Sequence, residues 1–154
     1  MADTSLAEKK IGLLVWQLSN HWQSKLRKIL KDYKLTLNEY LVLESISDLS
    51  ENQKELSQNE ISIFAGIDIS VASVTFKLLE NKKLITRITK NDNRKKIVEM
   101  LASGMNLYKK ISPLVFEEEL IIFSKLDNEI HNFKNSLKLL LGKSLRIKAK
   151  KTYE

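Results

Sequence analysis

Apolar residues return every three or four positions from about Leu6 to Tyr33: Ile11, Leu14, Val15, Leu18, Trp22, Leu26, Ile29, Leu30 and Tyr33. That spacing predicts one long amphipathic helix. Leu13 and Trp16 fall off the stripe, so the helix carries apolar residues on more than one side, a pattern that predicts packing between partners. Thr36-Leu-Asn-Glu39 has the form of a capping box and opens a second helix with Tyr40, Leu41, Leu43, Ile46 and Leu49. The polar stretch Ser50–Glu55 ends it. Ser57-Gln-Asn-Glu60 is a second box, opening a short helix through Ile61, Phe64 and Ala65. Gly66 permits a tight turn, and Asp68 is placed to cap a further helix with Val71, Ala72, Val74, Phe76, Leu78 and Leu79, ending at about Asn81. Short helix, glycine turn and second helix make a helix-turn-helix arrangement, a geometry that any helical hairpin can also produce.

Two β-branched runs follow, Leu84-Ile-Thr-Arg-Ile-Thr89 and Ile97-Val-Glu-Met-Leu101, with the polar tip Lys90–Lys96 between them. They predict a hairpin attached directly to the helix-turn-helix. Helical spacing resumes after Gly104 through Met105, Leu107, Tyr108 and Ile111. Ser112-Pro113 predicts a kink or a restart, with Ser112 as N-cap and Pro113 at the first helical position. Asp127 is expected to cap a last helix carrying Ile130, Phe133, Leu137, Leu140 and Leu141, and Gly142 to stop it.

Charge sharpens this picture. Lys and Arg number 26 against 19 Asp and Glu, a net +7. Segment 82–96 holds seven cations (Lys82, Lys83, Arg87, Lys90, Arg94, Lys95, Lys96) and one acid, Asp92. A surplus so concentrated on a projecting hairpin, beside a helix of groove-fitting size, points to phosphate contact. A second basic stretch, Lys143–Lys151, is expected to be mobile and to add sequence-independent attraction to DNA. The 154 residues suit one domain, and the absence of cysteine removes disulfides and thiolate chemistry. With only His21 and His131, no metal site is expected. No apolar run is long enough for a membrane span, and the first residues lack a leader's basic-then-apolar order, so a cytoplasmic location is expected. No phosphate-binding glycine loop, nucleophile–histidine pair or metal cluster suggests an enzyme or a cofactor.

Several pieces in order resemble the MarR family of winged helix-turn-helix transcriptional regulators. They are Leu35-Thr-Leu-Asn-Glu-Tyr, Leu56-Ser-Gln-Asn-Glu-Ile, Ala65-Gly-Ile-Asp-Ile-Ser and Leu79-Glu-Asn-Lys-Lys-Leu-Ile-Thr-Arg. The most specific is Asp92-Asn-Arg94-Lys-Lys-Ile-Val, similar to the family's D-x-R wing signature, followed by Gly104. The resemblance implies a mainly α chain with a small β-hairpin wing, a winged helix-turn-helix framed by long N- and C-terminal dimerisation helices. On that reading the chain is a single domain. Residues 1–34 and 103–143 form the dimerisation helices, 35–102 the winged helix-turn-helix, and 144–154 a basic tail.

It further implies a homodimer on double-stranded DNA, acting as a repressor, with a recognition helix (about 69–81) in the major groove and a basic wing (about 90–96) in the minor groove. The DNA-facing candidates are Ser70, Ser73, Val74, Thr75 and Lys77 on the helix, and Arg87, Lys90, Asp92, Arg94, Lys95 and Lys96 at the wing. Arg94 reaches into the minor groove, with Asp92 orienting its guanidinium. The chain departs from the family at Ile69, Val71 and Val74, where polar residues are common; these either pack on thymine methyl groups or are buried. Leu101 stands where the family has a threonine, so the helix after the wing is expected to be capped differently. A small-molecule effector in a cleft lined by Trp16, His21, Trp22 and Tyr40 completes the implied set. A low-specificity nucleoid-type DNA binder and a winged-helix protein-interaction module are the competing readings.

Overall fold

The computed structural model describes residues 8–90 and 95–143; the wing tip 91–94 and the basic tail 144–154 lie outside the described residues. The chain divides into two compact units, with the boundary between Glu118 and Glu119. No single helix among the described residues is long and apolar enough to cross a membrane.

The first unit opens with α1 (Ile11–Lys31), shorter than the expected span because Tyr33 already lies in the turn that follows. Its C-terminal half buries Leu26 and Leu30, while Ile11, Val15 and Trp16 remain exposed. Both capping boxes form. At α2 (Leu37–Ser50) the Glu39 amide donates to Thr36 Oγ1 at 3.1 Å and the Thr36 amide to Glu39 Oε1 at 2.9 Å. At α3 (Gln58–Ala65) the Glu60 amide donates to Ser57 Oγ at 3.2 Å and the Ser57 amide to Glu60 Oε2 at 3.4 Å. Each box satisfies donors that a helix start otherwise leaves unpaired. Gly66 ends α3 at φ 70°, a backbone angle that costs glycine nothing, and α4 (Ile69–Asn81) leaves the turn at 114° to α3.

The hairpin consists of β2 (Ile85–Lys90) and β3 (Lys95–Met100), paired antiparallel with Arg87 opposite Val98. A two-residue strand that the hydrophobic pattern does not reveal, β1 (Leu56–Ser57), adds to the far side of β3, giving the order β1-β3-β2. Ser57 thus belongs to the sheet and caps α3 at once. Leu26, Leu30, Tyr40, Leu43, Ile61, Phe76, Leu79, Ile85, Val98, Ile111 and Val115 form the core of this unit. Burial of that many aliphatic and aromatic side chains is the main favourable term holding the helices to the sheet.

Two expected helix boundaries and one expected capping bond are corrected. First, α5 (Ala102–Phe123) runs without interruption through Pro113, so Ser112 caps nothing. Proline removes one hydrogen bond to the carbonyl four residues earlier, but Pro113 sits on the exposed face while Ile111 and Val115 on either side are buried. Packing of the buried face outweighs the missing bond. Second, Asp68 holds the N-cap position of α4 as expected, but its side chain makes no capping bond; it accepts from Ser70 Oγ at 3.0 Å. Third, Asp127 does not cap the last helix. In the second unit it lies inside a 3₁₀ segment (Ser124–Glu129) at φ 50°, and α6 (Ile130–Leu140) begins three residues later. There Phe123 and Phe133 pack with ring centroids 6.3 Å apart, Gly142 follows the end of α6 at φ 70°, and Leu139, Leu140 and Leu141 are exposed.

Candidate nucleic-acid interface

The placement of α4 follows from its periodicity. Ala72, Thr75, Phe76 and Leu79 turn inward. At about 100° per residue the opposite side carries Ser70, Val74, Lys77 and Asn81, with Ser73 beside them. Ser70, Ser73, Val74 and Lys77 are all exposed, and the valines are not buried: Val74 is 60% exposed and Val71 42%. Thr75 is corrected. It is 4% exposed and its hydroxyl donates to the Val71 carbonyl at 2.9 Å, so it has nothing to offer a ligand. Val71, Val74 and Leu78 line a shallow cleft of about 370 Å³ against Thr36 and Asn38 of the α2 start.

The wing cations divide into two groups. Arg87 is corrected from a DNA-facing residue to an internal clamp. Its side chain is 13% exposed. Nη2 and Nε donate to the two Glu80 oxygens at 2.9 and 3.3 Å, and Nη1 donates to Gln58 Oε1 at 3.3 Å. The guanidinium holds the Glu80 carboxyl below the usual glutamate range, chiefly through these hydrogen bonds. Lys90 is paired with Glu55, whose carboxyl is likewise held down by the lysine's hydrogen bond and charge. Lys82 reaches back to Glu39 Oε2 at 2.8 Å and donates to the Lys34 carbonyl at 2.7 Å. Lys83, Lys95 and Lys96 are exposed and form no ion pair among the described residues. Lys95 and Lys96 face Ser57, Gln58 and Asn59 across a notch of about 420 Å³. Asp92 and Arg94 lie outside the described residues.

Sequence reasoning missed Glu80, Gln58 and Glu39, the polar side chains that hold the wing root and the end of α4 in place. Lys82 and Glu39 are 43 residues apart, and no local pattern joins them. Glu80 and Arg87 are seven apart, on a helix and a strand, so neither period pairs them.

The four residues expected to line an effector cleft do not converge. Tyr40 is buried and stacks on Tyr108, with ring centroids 5.9 Å apart and an interplanar angle of 28°. Trp16 and His21 are exposed. Trp22 borders a cleft of about 310 Å³ with Arg27, Leu37, Leu41, Ile67 and Val71. Burial raises the Tyr108 phenol, and the nearby Glu44 and Asp48 carboxylates add to the rise. No group of three or more acidic or histidine side chains gathers for a metal ion among the described residues.

An exposed helix beside a partly neutralised basic hairpin, on a three-stranded sheet, defines a winged helix-turn-helix. Comparison with known proteins agrees. No family profile matches the chain. The chain is 26% identical over 132 residues to the uncharacterized HTH-type transcriptional regulator YdcH of Bacillus subtilis, covering 84% of this chain and 88% of that one. Among solved structures it is similar to the S. aureus MepR–DNA complex (TM-score 0.78, 24% identity, 88% of this chain and 98% of that one). Wild-type MarR from E. coli in its apo form is also similar (TM-score 0.68, 19% identity, 86% and 98%). The chain has the fold of the MarR-family winged helix-turn-helix regulators.

Proposed function

We propose that this protein is a homodimeric, DNA-binding transcriptional regulator that represses by occupying a promoter. The observation that carries the reading is the outward row Ser70–Val74–Lys77 of α4, uncovered, together with the exposed Lys95 and Lys96 of the wing, which form no ion pair among the described residues. A helix with an open face enters a major groove, and unpaired lysines meet the adjacent phosphates. By its sequence position, Arg94 enters the minor groove with Asp92 as its partner. In the first unit the exposed apolar residues of α1 (Ile11, Val15, Trp16), and in the second unit, separately, the exposed Leu139, Leu140 and Leu141, offer apolar surface for self-association. Such a protein works by binding in the cytoplasm, where bacterial DNA lies. A small apolar or anionic effector fits the Trp22–Arg27 cleft.

Fluorescence-anisotropy titration against DNA from upstream of its own gene and against scrambled DNA, over a salt series, tests the reading. Preference for the upstream DNA at physiological salt is expected. Arg94→Ala should weaken binding by about 1–3 kcal/mol, and Lys95→Ala should flatten the salt slope by about one unit. Equal, steeply salt-dependent binding to both DNAs would favour a nucleoid-type binder. No binding to either at low salt would leave a protein-interaction module.

A further inference from the structure

We infer that Val74, supported by Val71, reads the C5-methyl groups of thymine in the major groove, so that the preferred DNA is distinguished by thymines at the contacted positions. This deepens the function proposed above and rests on it.

The argument starts from what α4 has left to read with. Of the polar residues on the helix, Thr75 is buried and its hydroxyl is committed to the Val71 carbonyl. The Ser70 hydroxyl donates to Asp68. Ser73, Lys77 and, as the last residue of the helix, Asn81 remain. A recognition helix contacts base edges with its N-terminal residues, and over that stretch α4 has no Asn, Gln or Arg able to make a two-point contact with adenine or guanine, the contact on which most major-groove discrimination depends. The central position of the outward row is instead an aliphatic side chain, 60% exposed, between Ser70 one turn before and Lys77 one turn after. Val71, itself 42% exposed, extends that apolar surface toward the α2 start.

In the major groove the thymine methyl is the distinctive apolar group a valine can meet. Charge selects DNA as the occupant over an apolar protein surface, because Lys77 stands on the same row and the exposed Lys95 and Lys96 of the wing form no ion pair among the described residues. An apolar protein partner would strand those ammonium groups, whereas a phosphodiester backbone neutralises them.

Short random-sequence duplexes selected by the full-length protein supply the probe. The most enriched duplex is then remade with deoxyuridine for thymine, which keeps base pairing and removes only the methyl. The wild-type protein should lose about fourfold in affinity for each contacted methyl removed, the value of one buried carbon. Val74→Ala should bind the thymine duplex more weakly yet respond little to deoxyuridine, since its contact is already gone. An exposed side chain makes that variant fold normally, which circular dichroism checks. Equal loss in both proteins would mean that uracil acts through DNA shape, and the inference fails. Enriched duplexes without a thymine preference, or no loss in either protein, also overturn it while leaving the regulator reading intact. Absence of DNA binding at low salt removes both.

Discussion

Replacing Arg87 with alanine separates the two roles a wing cation can play. The change removes three hydrogen bonds, two to Glu80 and one to Gln58, from a side chain that is 13% exposed. Bonds to charged groups contribute about 1.5–3 kcal/mol each when their partners are left unsatisfied. Glu80 is 39% exposed, so water re-solvates its carboxylate and most of that value is recovered. The net cost to folding is about 1–2 kcal/mol, or about 2–8 °C in melting temperature for a chain of this size. Because Arg87 ties the first residue of α3 and the last turn of α4 to β2, DNA affinity should fall as the wing loosens. The salt dependence of binding should not change, since no phosphate contact is lost. A phosphate-contacting arginine would behave in the opposite way: unchanged melting and a slope smaller by about 0.9. Thermal denaturation and anisotropy over a salt series, run on the same preparation, decide between them. A flattened slope with unaltered melting would refute the clamp. Exchanging the pair, Glu80→Arg with Arg87→Glu, should restore much of the lost stability.

Three further outcomes are expected. A methyl group on Gly104 would overlap the Leu84 carbonyl oxygen and come within 3.0 Å of its carbon and 3.1 Å of Met100 Sδ. Gly104→Ala should therefore cost about 3 kcal/mol, whereas Gly12→Ala, which meets nothing within 4 Å, should stabilise α1 by up to about 1 kcal/mol, both read by urea denaturation. Lys82→Met strands the Glu39 carboxylate, 1% exposed, and should destabilise by about 2 kcal/mol; adding Glu39→Gln should recover part of that loss in thermal melts. The Glu80 carboxyl is held below its ordinary value of 4.5, so its ion pair contributes fully above that value and is lost as the pH falls through the lowered one. The wild-type melting temperature should accordingly drop more steeply below pH 4.5 than that of Arg87→Gln.

What the chain discloses locally and what it conceals differ in range. Both capping boxes, the Gly66 turn and the Gly142 stop are complete within four residues, and each is present as the residue types imply. The end of α4 is different. Lys83 occupies φ 60° there, a conformation usually given to glycine, with the Leu84 amide bonded back to the Leu79 carbonyl at 3.0 Å. No turn residue announces it; tertiary packing of Leu84 and Ile85 imposes it. Pro113 misleads for the same reason in reverse, since a breaker residue is overruled by the buried neighbours on its helix. Thr75 was legible by period, being three after Ala72 and four before Leu79, but its polarity suggested the surface. Its hydroxyl is satisfied by the helix's own backbone, which lets a polar residue face the core. Arg87 and Lys90 announced only charge, and the carboxylates that occupy them could be found only in three dimensions.

The strand order β1-β3-β2 leaves β2 paired on one side only among the described residues. A row of free amides and carbonyls along such a strand is a template for another copy of the same sequence, and through it for open-ended assembly. The run Ile85-Thr-Arg-Ile-Thr would be well suited to that fate were it apolar throughout. Arg87 interrupts it with charge and Lys90 follows it, each paired with a carboxylate. Charge on an open edge works against such strand-to-strand pairing, and that effect does not depend on nucleic acid.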